Sequence, residues 1–508
     1  MNPQPGIGKT ARTLSLGLFA LLLVGLVLHF AVYLRYAIAE TQYPFEIFDA
    51  EGIVWQQVLL IPGPRMYGDI TRFPFVVFHY PPLFHLIVRT VAALDISPLA
   101  AGRGLSVLST LVLAATIGSL AWQAMQREVG RLPGLAGGLA AGLIFLCFSP
   151  VVAVSPLMRV DMLATALSFL GLRLALGSMR PAPRLYGAMA LFVASAFTKQ
   201  TSIIAAVAVL AVLVRIRPGL AVRVFGFGLV LGLVPLGVLS WMTGGGFLRH
   251  LVFYNMNRFS LELLFVQLTE QASQVIFVAL AAAALSLFWK QLAARRGGIS
   301  RAALSSDPLL QSMAVLSVYL VLSTCTLINL GKYGGGLNYF VEWMAILSVL
   351  LGMLVASAVD QAVAKAPRPL PGYTSVTSLL LPVLLLIQVG ASPASLEFRP
   401  ADPEAPAQLE GLVQRIKAAS KPVLSDDMVL LMMAGKDVPM EPAIFSELTH
   451  TGQWDERHIL EMIARRDFAF VITRGYSLFT PAMVRAIDAA YPATSEVAEH
   501  TLHLPAGE

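Results

Sequence analysis

Apolar residues in this chain come in runs near twenty, separated by short polar segments. A helical run of that length crosses a hydrocarbon core of about 30 Å at 1.5 Å per residue. Such runs occupy residues 13–35, 102–124, 133–151, 157–176, 184–199, 200–215, 222–242, 272–290, 309–330, 338–358 and 375–391. They predict a polytopic α-helical membrane protein with about eleven transmembrane helices. The stretch from Pro82 to Leu94 is apolar but short, opens on Pro81-Pro82 and carries His85 and Arg89. It reads as a juxtamembrane helix rather than a span.

That choice fixes the orientation. Lys9 and Arg12 precede the run from Leu14 to Leu34, which is too long for a signal-peptide core, so the first span is expected to be uncleaved despite Ala37-Ile38-Ala39. With the N-terminus in the cytoplasm, the cations Arg127, Arg131, Arg180, Arg184, Arg215, Arg217, Arg223, Lys290, Arg295, Arg296, Arg301, Lys365 and Arg368 all fall in cytoplasmic loops. Were Pro82–Leu94 to cross, every later loop would change side and the bias would invert. Residues 1–391 are therefore read as a transmembrane module with a first extracytoplasmic loop at 36–101. Residues 392–508 are read as a soluble tail on the side opposite the N-terminus.

The tail opens with Pro393, Pro400, Pro403 and Pro406, a linker signature. Pro422–Ser425 and Phe468–Ile472 read as strands, with an amphipathic helix over Glu456–Arg465 between them. Alternation of this kind predicts a small α/β domain. No internal repeat is evident.

Composition supports the membrane reading. Fifty-six percent of the 508 residues are hydrophobic and 13% are charged, about half the charge of an average soluble domain. The net charge of +6 does not indicate a nucleic-acid partner, because the Lys and Arg sit in short loops between apolar runs. Cys147 and Cys325 lie far apart in apolar runs and are expected to be buried, inert thiols.

Polar groups at the edges of apolar runs are the candidates for chemistry, since a charge at mid-bilayer costs about 2.5–3.5 kcal/mol on insertion scales. Five sets stand out: Asp49 with Glu51; His79-Tyr80; Arg159 with Asp161; Lys199-Gln200; and Lys332, Tyr333, Asn338 and Glu342. Each has an ordinary reading as an ion pair, a snorkelling lysine or an interfacial anchor. All five fall on the extracytoplasmic face, and no comparable set falls on the other.

The stretches Phe48-Asp-Ala-Glu-Gly-Ile-Val-Trp55, Met66-Tyr-Gly-Asp69 and His79-Tyr-Pro-Pro-Leu-Phe84 resemble the first extracytoplasmic loop of the GT-C glycosyltransferases. The resemblance is to bacterial relatives of protein O-mannosyltransferases and of the lipid A aminoarabinose transferase, the family 39 type. Met158-Arg-Val-Asp-Met162 resembles their Arg-x-Asp element, Phe197-Thr-Lys-Gln-Thr201 a Thr-Lys-Gln element, and Leu424-Ser-Asp-Asp-Met428 with Ala434-Gly-Lys436 a segment of their tails. Two departures stand out. Ala50 separates Asp49 from Glu51 where aminoarabinose transferases tend to have adjacent Asp-Glu, and no cation precedes Pro81-Pro82.

The resemblance implies transfer of a sugar from a polyprenyl-phosphate carrier to an acceptor hydroxyl on a protein, lipid or glycan, within a cleft open to membrane lipids. A carboxylate would take the hydroxyl proton, and cations would offset charge on the departing phosphate. Glu51 is placed slightly ahead of Asp49 for the first role. Lys199, Arg159 and Lys332 compete for the second, with Gly334-Gly335-Gly336 available for close backbone approach or as a flexible loop. No His/Cys cluster argues for zinc, whereas Asp49 and Glu51 could ligate a hard divalent cation, so a metal stays open. The rival readings are a multi-span transporter or lipid flippase, and a noncatalytic scaffold on the same fold.

Overall fold

The computed structural model of the chain describes residues 9–506 apart from 177, 178, 180, 181, 297–299, 364–373, 398, 400, 401 and 475–477. Arg180, Lys365, Arg368 and Pro400 lie outside the described residues, as do the side chains of Arg295 and Arg296.

Each of the eleven apolar runs folds as helix. Six helical stretches have the length and composition to cross a membrane alone: Lys9–Gln42, Pro98–Met125, Pro218–Met242, Leu261–Ala294, Pro308–Gly331 and Leu337–Val363. The other five helices, Arg131–Phe145, Asp161–Ala175, Ala182–Ala196, Ile204–Ile216 and Ser375–Ala391, have 13 to 17 residues and reach about 20–26 Å. Several stop early for a visible reason: they begin or end beside Asp161, Lys199 or Gln200, which line a polar cavity or lie against it. The stretch over Leu83–Ala92 is a ten-residue helix, about 15 Å long, which is too short to cross.

The helix Phe340–Val363 forms the centre of the bundle and is buried along nearly its whole length. It packs against Arg131–Phe145 and Pro98–Met125. By contrast, Pro218–Met242 leaves Val222, Phe225, Val230, Val234 and Trp241 exposed, an all-round apolar surface suited only to lipid. Cys147 is buried as expected, but Cys325 is exposed; its position in an apolar run reflects a surface facing lipid, not a protein core.

The tail forms a four-stranded sheet in the order β1-β2-β4-β3, with β1 Leu424–Ser425, β2 Val471–Arg474, β3 Ala493–Val497 and β4 His500–Leu504. β1 and β2 are parallel, and the other pairs are antiparallel. β2 starts three residues later than the expected strand at Phe468. There the Tyr491 hydroxyl takes both backbone groups of Phe468 in place of a strand neighbour. The amphipathic helix is Arg457–Ala464.

Four charged side chains dock this tail on the first loop. Arg474 Nη2 lies 2.9 Å from Glu46 Oε2 and 2.7 Å from Asp427 Oδ2, and His500 Nε2 is 3.1 Å from the same Asp427 oxygen. Burial alone would raise the Asp427 pKa, but Arg474 and His500 hold it well below the ordinary range. Burial pushes Asp426 up to about 6.

Candidate active site

A cavity of about 700 Å³ opens where the first loop, the ends of the short helices and the tail meet. Its walls include Asp49, His79, Tyr80, Arg159, Lys199, Gln200, Lys332, Tyr333 and Asn338, nine of the twelve candidate residues, drawn together from positions almost 290 apart in the chain.

The deep wall is an ion cluster built around a residue that does not itself line the cavity. Asp161, 1% exposed, accepts from Lys199 Nζ at 2.7 Å and Asn338 Nδ2 at 2.9 Å through Oδ1, and from Arg159 Nε at 3.0 Å through Oδ2. Two cations and one carboxylate leave one net positive charge at the wall. Lys199 Nζ also sits 4.7 Å from the Tyr339 ring centroid, and the Arg159 guanidinium 5.8 Å from that of Phe48, within cation–π range. Such contacts fix the cations without neutralising them.

Lys332 supplies the opposite rim. Its Nζ donates to the Asn255 carbonyl at 3.1 Å, and the loop carrying it pairs with residues 258–260 through a bridge between Phe259 and Lys332. Gly334 has a φ of +78°, and a Cβ on Gly335 would lie 2.4 Å from the Asn329 carbonyl oxygen; the triple glycine is thus a required tight turn. Arg258 stacks 4.4 Å from the Tyr333 centroid and pairs with Glu447 of the tail, so the tail closes this rim.

His79 and Tyr80 are held by their backbones. The His79 carbonyl accepts from Gln200 Nε2 at 2.9 Å and Asn255 Nδ2 at 3.2 Å, and the Tyr80 carbonyl accepts from the Tyr67 hydroxyl at 2.8 Å. Burial, with His250 nearby, pushes the His79 pKa down to about 4, so its ring is neutral at pH 7. Asp69, from the same loop motif, is exposed and caps its own turn through Thr71.

The two candidate bases part company. Asp49 stands at the N-cap position of the helix Ala50–Leu60 but makes no capping bond, and it lines the cavity. Burial raises its pKa, an effect opposed by Arg474 and Arg159. Glu51 is fully buried and faces away into Arg103, itself fully buried. Glu51 Oε1 accepts from Arg103 Nε at 2.7 Å and from the Met158 N–H at 2.8 Å; Oε2 accepts from Arg103 Nη2 at 2.6 Å and the Ile47 N–H at 3.0 Å. The remaining guanidinium protons go to the Glu40, Tyr43 and Phe45 carbonyls. All five donors and both carboxylate oxygens are used. Gly52, which follows, lets the helix approach the tail: a Cβ there would lie 2.8 Å from Met428 Cβ.

A carboxylate whose two oxygens already accept four hydrogen bonds, and which does not line the cavity, is less well placed to take a substrate proton than Asp49. The same bonding separates the pair as shared ligands for a cation: Glu51 has no oxygen to offer. Among the described residues, no three His, Cys, Asp or Glu side chains converge in a metal-binding group. Glu342 lies behind Lys199, lining a space of about 20 Å³ with Thr201 and Ser202, outside the main cavity. Sequence reasoning missed Arg103 and the Glu46–Arg474–Asp427 cluster. Arg103, a charge at the start of an apolar run, carries the same sequence signal as the other candidates.

A scan against protein-family models and a search of curated proteins each return no match. Solved structures do match. The chain is similar to ArnT from Cupriavidus metallidurans in the apo state, with a TM-score of 0.59 and 14% identity over 94% of this chain and 97% of that one. It is similar to the same protein bound to undecaprenyl phosphate, with a TM-score of 0.56 and 15% identity over the same shares. The apo oligosaccharyltransferase of Archaeoglobus fulgidus matches with a TM-score of 0.50 and 10% identity, over 88% of this chain and 69% of that one. The chain therefore has the GT-C fold of integral-membrane glycosyltransferases, with a small strand-containing tail.

Proposed function

We propose that the protein is a membrane glycosyltransferase that moves a sugar from a polyprenyl-phosphate carrier to an acceptor hydroxyl on the extracytoplasmic face. One observation carries this reading: Asp49, without a capping bond, lines the same cavity as Arg159, Lys199 and Lys332. In the reaction the acceptor oxygen bonds to the anomeric carbon while the bond from that carbon to the phosphate oxygen breaks. Asp49 takes the hydroxyl proton, and the phosphate leaves with the bonding electrons. Lys199 and Arg159, held by Asp161, and Lys332 at the glycine turn offset the charge that gathers on it. Neutral His79 and Tyr80, with Gln200 and Asn338, position the donor and acceptor.

A polyprenyl-phosphate donor is supported by the match to ArnT bound to undecaprenyl phosphate and by the apolar surfaces that surround the cavity. In this reading the protein sits in a bacterial inner membrane with its N-terminus in the cytoplasm, which the cations of the short loops support. The tail then lies outside, on the side of the first loop, because its Arg474 pairs with Glu46 of that loop.

The test is mass spectrometry of envelope lipids, glycans and proteins from cells with and without the chain. One acceptor class should lose a single sugar mass when the chain is absent. Unchanged profiles in all three classes would sink the proposal.

A further inference from the structure

At the end of the bundle opposite the candidate active site lies a second concavity, of about 420 Å³. Its place follows from two helices. Pro98–Met125 runs from Arg103, which is bound to Glu51, to this end; Asp161–Ala175 runs to it from the ion cluster. Arg127, Arg173 and Arg184 line it, with Gln123, Gln126 and Leu174.

No carboxylate is among the described residues that line it, and none of the three arginines forms an ion pair among the described residues. The contrast with the other end is plain, since Arg159 and Lys199 there share Asp161. A positive-inside bias accounts for cations on this side. It does not account for three arginines lining one hollow, two of which, Arg173 and Arg184, repel each other.

The hollow is a notch between helices of unequal reach. Arg173 Nε donates to Ser119 Oγ at 2.6 Å, which sets the two helices level at that point and holds the guanidinium in place. Pro98–Met125 then continues six residues further to Met125, about 9 Å, while the other helix ends at Ala175. Leu174 lines the notch and is 38% exposed; Trp122, 41% exposed, stands one residue before Gln123. An outward Trp near a helix end is typical of headgroup level.

We propose that this notch binds the headgroup of an anionic phospholipid from the leaflet on the N-terminal side. Guanidinium groups match phosphate oxygens through paired hydrogen bonds, and basic hollows between membrane helices on the cytoplasmic side suit acidic headgroups. The exposed apolar residues beside the arginines supply contact for acyl chains, which inorganic phosphate would not use.

Native mass spectrometry of the full-length protein in neutral detergent tests this, with phosphatidylglycerol, phosphatidylcholine and inorganic phosphate as separate probes. Wild-type protein is expected to retain phosphatidylglycerol at least about tenfold more strongly than phosphatidylcholine, as expected for charge-assisted contacts. The Arg127→Gln/Arg184→Gln double variant should lose that preference while unfolding at the wild-type temperature in lipid-free detergent. If that variant does not fold, wild-type selectivity must instead fall as salt rises; salt-independent selectivity would overturn the proposal. Equal retention of both lipids, unaltered selectivity in the folded variant, or thermal protection by phosphate equal to that by lipid would each overturn it too.

Discussion

Replacing Glu51 with Ala separates a structural carboxylate from a catalytic one. The substitution leaves Arg103, fully buried, without its only carboxylate partner among the described residues, and two of its five N–H donors lose their acceptors. The N–H groups of Ile47 and Met158 lose theirs as well. Breaking a buried pair from one side costs about 3–5 kcal/mol, and each orphaned backbone donor adds roughly 1–3 kcal/mol where water cannot reach it. The total rivals the whole stability of a typical domain, about 5–15 kcal/mol. Purified Glu51→Ala should therefore unfold far below the wild type or fail to accumulate. The double variant Glu51→Leu/Arg103→Met, which removes both charges, should recover part of the loss, a non-additivity expected of contacting groups. The assay is thermal unfolding in detergent, read by intrinsic fluorescence, alongside sugar transfer. A Glu51→Ala protein that unfolds at the wild-type temperature and has lost all transfer would make Glu51 a chemical rather than a structural group.

Other consequences follow from the same geometry. Lys199→Met removes a cation that Asp161 holds at the cavity wall and should lower kcat by about 10²–10³-fold, with Lys199→Arg recovering part of it in the same transfer assay. Gly335→Ala puts a Cβ against the Asn329 and Lys332 carbonyls, so the turn must shift; transfer should fall while carrier binding and Tm change less, as measured by lipid retention and thermal unfolding. His500 contributes stability with a defined pH sign. Burial alone lowers its pKa, but Asp427 more than compensates, so the folded value lies above 6.5. Its contribution is then fully present below the unfolded value and is lost as pH rises through the folded one. The Tm penalty of His500→Gln should be larger at pH 6 than at pH 9 in a pH series on the full-length protein.

Much of the architecture is legible in the sequence because lipid penalises polarity along each span. The eleven runs are helical, and the Pro81-Pro82 start and short length of the Leu83–Ala92 helix mark it as one that stops short. The same penalty exposes the site: charges at helix ends in an apolar chain need a partner or a task, and nine of those singled out share one cavity. What periodicity does not reveal is which way a side chain turns. Asp49 and Glu51 lie within one turn of chain, and only Arg103, 52 residues after Glu51, decides that Glu51 points inward. The docking of the tail is still less visible, since Glu46 and Arg474 are 428 residues apart. Asp161 and Glu342 show a subtler difference. Both are polar groups at helix starts, yet one organises the cavity wall and the other sits behind it.

Asp49 is proposed to take the acceptor proton. The measurement that bears on it most directly is sugar transfer by purified Asp49→Asn, reconstituted with a polyprenyl-phosphate-sugar pool and acceptor extracted from the envelope. Transfer should fall by about 10²–10⁴-fold, the contribution of a positioned general base, while undecaprenyl phosphate binding and the unfolding temperature stay at wild-type values. An Asp49→Asn protein that transfers sugar within a few-fold of wild type would mean that another group takes the proton.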